Sequence, residues 1–106
     1  MNENIIIIAN KIRIKDDKPF NIRIFGSQNC NNCKTAYTVL QMLKLSYQFV
    51  DAFDENTQKI CDDNNVNKLP HIQILKAETV LWEKHGEDAI GELVQIIKQA
   101  SLNTGN

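Results

Sequence analysis

Two cysteines separated by two residues are the part of this sequence that could do chemistry. Cys30 and Cys33 flank Asn31 and Asn32, and a polar loop leads into them from a predicted strand. A helical pattern follows, so we expect Cys30 at the start of a helix and Cys33 one turn inside. Unpaired N–H groups and the dipole at a helix start stabilise an anion, which lowers the pKa of a thiol there below about 8.5. Cys30 is therefore the predicted nucleophile.

Cys33 and Lys34 complete the predicted site. Three positions on a helical turn bring two sulfurs within bonding reach, so Cys33 is suited to attack a mixed disulfide formed on Cys30. The positive charge of Lys34, next to the motif, stabilises a nearby thiolate and acts in the same direction as the helix start. The spacing therefore indicates a dithiol that exchanges with disulfides.

A cysteine pair at this spacing is also half of many zinc sites, so metal binding is one alternative. Zinc would need two further ligands, and the candidates Cys61, His71 and His85 form no pair at a short ligand spacing. Another alternative is that both cysteines are small buried residues, but the asparagines around them make the loop polar. Disulfide exchange is favoured, and no metal is predicted.

Length and composition limit the setting of this site. The 106 residues, 42% of them hydrophobic and 24% charged, are typical of one compact domain. A formal net charge of −1 provides no basic field for nucleic acid or an anionic membrane. The longest apolar run, Ile5 to Ala9, is far shorter than the roughly 20 residues that cross a bilayer. With no secretory signal and an odd number of cysteines, a cytoplasmic location is expected.

Hydrophobic periodicity predicts the elements that must position the cysteines. Alternation of apolar and polar residues predicts strands, and apolar residues at i, i+3, i+4 and i+7 predict helices. The order is a strand over 20–25, a helix over 31–45, a strand over 47–50, a weaker helix over 55–64, strands over 71–75 and 79–83, and a final helix after Gly86. This order implies an α/β fold with a four-stranded mixed sheet flanked by three helices.

The N-terminal segment has to attach to that sheet. Two apolar stretches, Ile5–Ile8 and Lys11–Ile14, flank Ala9 and Asn10. They predict an extra N-terminal strand or a small hairpin. We therefore assign residues 1–19 to an N-terminal strand or hairpin of the same domain, 20–102 to its main body and 103–106 to a tail.

The order of these features resembles the thioredoxin superfamily, over about residues 21–100. The resemblance includes the Cys30-x-x-Cys33-Lys34 motif after a strand, and the Leu69-Pro70 pair before a hairpin and a last helix. It implies a thioredoxin fold in which the Leu69–Pro70 bond is cis and lies beside the active disulfide. It also implies that the backbone of Leu69 receives an extended substrate.

The short start before the first strand is most similar to glutaredoxins and glutaredoxin-like thioredoxins, so the main body is predicted as a thioredoxin- or glutaredoxin-like domain. Asn29 and Ile24 stand where thioredoxins typically carry Trp and a buried Asp. Asn31-Asn32 replaces the Pro-Tyr of glutaredoxins, and Lys68-Leu69 replaces their Thr-Val. Residues 85–88 replace their glutathione-holding Gly-Gly-x-Asp segment.

The resemblance implies a thiol–disulfide oxidoreductase that reduces protein or small-molecule disulfides, as in cell redox homeostasis and electron donation. Its expected catalytic residues are Cys30 and Cys33, and its expected substrate-binding residues are Asn31, Asn32, Lys34, Leu69 and Pro70. The alternatives are a glutathione-dependent glutaredoxin and a non-catalytic module of the same fold that binds a protein or a metal.

The same resemblance implies the partners. We expect disulfide-containing protein substrates, and a thioredoxin reductase or glutathione as the electron source. We expect no bound cofactor, no nucleic acid and no membrane, and a monomer.

Four other residues are assigned structural roles. We expect Cys61 to be a buried, inert thiol and His71 to lie on the surface of its strand. Trp82 is expected to pack under the last helix, and Tyr37 to pack rather than contact substrate.

Overall fold

The structure is a computed structural model that describes residues 3–13 and 20–103. The described chain contains the following elements in order: α1 (Glu3–Arg13), β1 (Phe20–Gly26), α2 (Asn31–Met42), β2 (Gln48–Asp51), a 3₁₀ turn (Glu55–Thr57), α3 (Gln58–Asp63), β3 (His71–Lys76), β4 (Thr79–His85) and α4 (Ala89–Asn103). Every strand and helix predicted after residue 19 is present, with ends that differ by a few residues. In the described ranges, no helix is long and apolar enough to cross a membrane.

The four strands form one mixed sheet in the order β2-β1-β3-β4. β1 runs parallel to β2 and antiparallel to β3, and β3 and β4 form an antiparallel hairpin. Ala77 and Glu78 connect that hairpin with positive φ angles of 52° and 69°, as in the tight turns that match the twist of paired strands. The predicted mixed sheet is confirmed, and the carboxyl ends of β1 and β2 lie at the same edge.

One side of the sheet is covered by α2 and α4, and we call it the apolar face. Its core contains strand residues such as Ile24 and Ile72, and helix residues such as Leu40 and Leu93, all fully buried. These side chains recur every second residue along the strands and every third or fourth along the helices, so each element buries one apolar side. The apolar face packs α2 against β1.

Within residues 3–13 and 20–103, the opposite side carries the short helix α3, and we call it the mixed face. Phe25, Val50 and Cys61 form a small apolar cluster there. Beside it, Nε of Arg23 donates a hydrogen bond to Oε1 of Gln73 at 2.8 Å, although Gln73 is fully buried. Nε2 of Gln73 donates to Oδ1 of Asn64 at 3.0 Å and to Oε1 of Glu83 at 3.2 Å. Hydrogen bonds therefore replace apolar packing over part of this face.

The predicted N-terminal strand or hairpin is wrong, because residues 3–13 form the helix α1, which packs against α4. Ile5, Ile8, Ala9 and Ile12 follow the i, i+3, i+4, i+7 spacing, and Ile5 and Ala9 are buried. A run of isoleucines favours strands by propensity, but burial of one helical stripe against α4 outweighs that preference. Ile14 lies outside the described residues.

The helix α4 continues through Asn103, the first residue of the predicted tail, and the tail stays a prediction. Residues 104–106 lie outside the described part of the chain, as do residues 14–19 of the predicted N-terminal extension.

Candidate functional site

The cysteine pair lies where β1 passes into α2. Cys30 is the N-cap of α2, in an extended conformation, and the backbone N–H of Cys33 donates a hydrogen bond to Sγ of Cys30 at 3.1 Å. The two cysteines are joined as a disulfide, with Cα atoms 5.2 Å apart. A helix-start amide directed at the Cys30 sulfur is the arrangement that stabilises a thiolate once the disulfide is reduced.

The two sulfurs differ in access. Cys33 is completely buried, whereas Cys30 is partly exposed. Asn31, Asn32 and Lys34 are all exposed in the first turn of α2, next to the pair in the chain. An external thiol can therefore reach Cys30, and Cys33 is shielded behind it.

Leu69 and Pro70 reach the same edge of the sheet by way of β3. The Leu69–Pro70 peptide bond is cis, as the resemblance implied. The register pairs Phe25 with His71, so the next positions along these antiparallel strands are Gly26 and Pro70. Pro70 is buried and its carbonyl accepts a hydrogen bond from the N–H of Gly86 at 3.0 Å, while Leu69 is half-buried. Their role in substrate binding stays a prediction.

Gly26 is a residue of the site that the sequence analysis missed. A Cβ atom at this position would lie 3.2 Å from Sγ of Cys33 and would overlap the hydroxyl oxygen of Tyr37. Only glycine leaves that space free, so the last residue of β1 makes room for the buried half of the disulfide. A glycine at the end of a strand, a few residues before a cysteine motif, was the available signal.

Tyr37 is the second residue whose place at the site was missed. Its ring stacks on Tyr47 at a centroid distance of 5.8 Å and meets the edge of Phe49 at 5.4 Å, which confirms the predicted packing role. Its hydroxyl group, however, is buried next to Cys33. Burial, and secondarily the nearby Tyr47 and Asp51, raise the pKa of Tyr37 to about 12.

Cys61 and His71 both lie on the mixed face. Cys61 is buried, as predicted, and burial is the main cause that raises the pKa of its thiol.

His71 was expected on the strand surface, and that prediction is wrong. Its side chain is buried, with Nε2 at 2.8 Å from Oε1 of Glu83 and the ring against Phe25. The physical reason is that β3 is an inner strand, so the structure covers both of its sides.

Trp82 has the predicted position under the last helix. It is buried on the apolar face, and its Nε1 donates a hydrogen bond to Oε1 of Glu92 in α4 at 3.1 Å. That bond ties β4 to α4, away from the cysteine pair.

No known sequence family and no curated protein matches the chain. Solved structures do. Thioredoxin O2 from Arabidopsis thaliana in its oxidised state is 19% identical, with a TM-score of 0.67 over 88% of this chain and 83% of that one. Thioredoxin-2 of the malaria parasite is 21% identical, with a TM-score of 0.65 over 80% and 86%. The chain has the thioredoxin fold.

A third solved structure of this fold is the complex of ferredoxin:thioredoxin reductase and thioredoxin f2. Its matching chain is 17% identical, with a TM-score of 0.65 over 88% of this chain and 86% of that one. In the present chain, the thioredoxin fold places an accessible cysteine at a helix start and a buried cysteine one turn later. The chemistry has to be argued from that pair, because a likeness at such low identity establishes the fold alone.

Proposed function

We propose that this protein is a thiol–disulfide oxidoreductase that reduces disulfides through Cys30 and Cys33. The observation that carries the proposal is the disulfide itself, with a partly exposed cysteine at the N-cap of α2 and a buried cysteine one turn inside. An exposed thiolate stabilised by a helix-start amide is an effective nucleophile. A neighbouring buried thiol releases the substrate that the first thiol has captured.

The proposed reaction begins with the reduced pair. The Cys30 thiolate attacks one sulfur of a substrate disulfide, and a mixed disulfide forms while the other substrate sulfur leaves as a thiolate and takes up a proton. The Cys33 thiolate then attacks Sγ of Cys30, which breaks the mixed disulfide and releases the second substrate thiolate. Two electrons pass to the substrate, and the Cys30–Cys33 disulfide is left.

Protein disulfides are the proposed main substrates. Asn31, Asn32 and Lys34 are exposed beside Cys30 and supply hydrogen-bonding groups and one positive charge at its open side. Leu69 lies at the same edge of the sheet, where its backbone is proposed to receive an extended segment of the substrate.

A protein reductase is the proposed electron source. One solved chain of the same fold is held in a complex with ferredoxin:thioredoxin reductase. This chain also carries His85-Gly86-Glu87-Asp88 in place of the segment with which glutaredoxins hold glutathione. Glutathione as the electron source is the competing outcome of the test.

The test measures reduction of the disulfides of insulin by the purified protein. Thioredoxin reductase with NADPH is compared with glutathione and glutathione reductase as the source of electrons. We expect turnover with the first source and little with the second. Turnover with glutathione alone would instead show a glutaredoxin.

Single cysteine variants assign the roles. Cys30→Ser should abolish insulin reduction, because Cys33 is inaccessible to a substrate. Cys33→Ser should keep the first attack and accumulate mixed disulfides, which a non-reducing gel displays. Cys61→Ser is the matched control and should stay active, because Cys61 lies on the mixed face. Adducts on neither variant, together with metal in the purified protein, would favour the non-catalytic module.

A further inference from the structure

The hydroxyl group of Tyr37 and the sulfur of Cys33 share the small space above Gly26. The position that a Cβ of Gly26 would take lies 3.2 Å from Sγ of Cys33, and the same position overlaps the Tyr37 hydroxyl oxygen. The space belongs to the apolar face, since Gly26 follows Ile22 and Ile24 on the same side of β1. The fold therefore brings a phenol group near the buried half of the disulfide.

This hydroxyl is buried and finds no hydrogen-bond partner among the residues that the structure describes. A buried polar group without a partner costs free energy, and a state of the protein that supplies an acceptor would recover that free energy. The disulfide form supplies none, because a sulfur engaged in a disulfide is a weak acceptor. Reduction changes the charge of that sulfur.

Reduction of the disulfide places a negative charge on the buried sulfur. An external thiolate can reach only Cys30, so it attacks Sγ of Cys30, a new sulfur–sulfur bond forms, and the Cys30–Cys33 bond breaks. Cys33 leaves with the electron pair as a thiolate. A charged sulfur is a strong acceptor, and hydrogen bonds to charged groups are the strongest that proteins make.

The groups around Cys33 increase the need for a hydrogen-bond donor to its thiolate. Asp51 pairs with Gly26 in the neighbouring strand, and its carboxylate disfavours a second negative charge close by. Burial, and secondarily Tyr47 and the same carboxylate, raise the pKa of Tyr37 to about 12 and keep it protonated. The hydroxyl is therefore available as a donor, and is no base, at any pH at which the protein would act.

We propose that the Tyr37 hydroxyl donates a hydrogen bond to the Cys33 sulfur when that sulfur is a thiolate. This bond stabilises the reduced pair relative to the disulfide and speeds the step in which Cys33 leaves as a thiolate. The consequence for substrate turnover rests on the proposed oxidoreductase function. The hydrogen bond itself does not, because any thiol reductant forms the same thiolate.

The test compares Tyr37→Phe with Tyr47→Phe in the purified full chain. Both variants lose one phenol hydroxyl from the same stacked pair of rings, and both keep the ring. The protein is equilibrated in buffers of reduced and oxidised dithiothreitol, and the disulfide fraction is measured by mass spectrometry after thiol labelling. We expect Tyr37→Phe to shift the equilibrium about ten-fold toward the disulfide, and Tyr47→Phe to leave it unchanged.

Two further measurements separate this role from a structural one. The rate at which dithiothreitol reduces the disulfide should fall about ten-fold in Tyr37→Phe. The oxidised form of Tyr37→Phe should resist denaturant at least as well as the parent protein, because the variant removes a buried hydroxyl that has no partner in the described residues.

An unchanged equilibrium in Tyr37→Phe would overturn the inference, and so would an equal shift in Tyr47→Phe. Failure of the parent protein to reduce insulin would overturn the proposed function and leave the dithiothreitol result to stand by itself. If the parent protein reduces insulin but Tyr37→Phe leaves the dithiothreitol equilibrium unchanged, the proposed function stands and the inference about Tyr37 is overturned.

Discussion

The apolar face and the mixed face of the sheet differ in what they bury and in how they bury it. Two long helices cover the apolar face, and its strand residues are aliphatic and fully buried. The mixed face has the six-residue α3, a small apolar cluster, and a buried glutamine linked to Arg23 and Glu83. Apolar burial stabilises in proportion to area, whereas a satisfied buried hydrogen bond contributes little net stability. We therefore expect the apolar face to provide most of the free energy of folding.

Two of the cysteines, Cys33 and Cys61, lie on different faces of the sheet. Cys33 lies on the apolar face, but a missing side chain at Gly26 and a polar group from Tyr37 adjoin its sulfur. Cys61 lies on the mixed face and packs among Phe25 and Val50. A cysteine becomes reactive through its local groups, such as helix-start amides and access, and not through which layer it occupies.

The largest effect expected from this comparison is on stability. Leu93→Ala removes a fully buried side chain of α4 and should lower the free energy of unfolding by about 2–5 kcal/mol. Ile60→Ala, on the mixed face, removes a side chain that is only half-buried and should cost less than about 2 kcal/mol. Denaturant unfolding of both oxidised variants measures the difference. Equal losses would show that the two faces contribute alike.

A smaller difference is expected in thiol reactivity. In the reduced protein, iodoacetamide should modify Cys30 at least about 100-fold faster than Cys61, because Cys61 is buried and its pKa is raised mainly by burial. Mass spectrometry of partially labelled protein follows both sites in one sample, and the denatured protein is the control in which the rates converge. Earlier modification of Cys61 would contradict the assignment of the nucleophile.

The smallest effect expected is on the pH dependence of stability, through Glu83 on the mixed face. Burial alone would raise its pKa, but hydrogen bonds from His71 and Gln73 and the charge of Arg23 outweigh it and hold the pKa of Glu83 below 4.5. A lowered folded-state pKa contributes stability that is present above the unfolded value and is lost as pH falls through the folded value. The contribution is small because the Glu83 side chain is 46% exposed and screened by solvent.

Glu83→Gln tests that contribution. Its free energy of unfolding should fall less steeply than that of the parent protein as pH decreases below about 4.5. Denaturant unfolding at a series of pH values measures both slopes. If the free energy of unfolding changes with pH in the same way in both proteins, the Glu83 carboxylate makes no pH-dependent contribution to stability.

Local pattern alone determined most of the elements and the position of the cysteine pair. Alternation in β1 and β3 and the 3.6-residue period in α2 and α4 are properties of short segments, so they can be read before any partner is known. The junction of β1 with α2 follows from the same patterns, and it places Cys30 at a helix start. The cis bond before Pro70 came from the resemblance, since its residue types alone favour a trans bond.

Tertiary contacts decided the rest. The isoleucines of α1 fit a strand or a helix, and only the apolar surface of α4 selected the helix. His71 is buried because β3 became an inner strand, and the Tyr37 hydroxyl lies near Cys33 because Gly26 leaves space beside both. Hydrophobic periodicity indicates which side of a helix or strand is apolar. The surface that covers that side is formed by residues far away in the chain. Long-range packing therefore determines which groups surround a reactive sulfur.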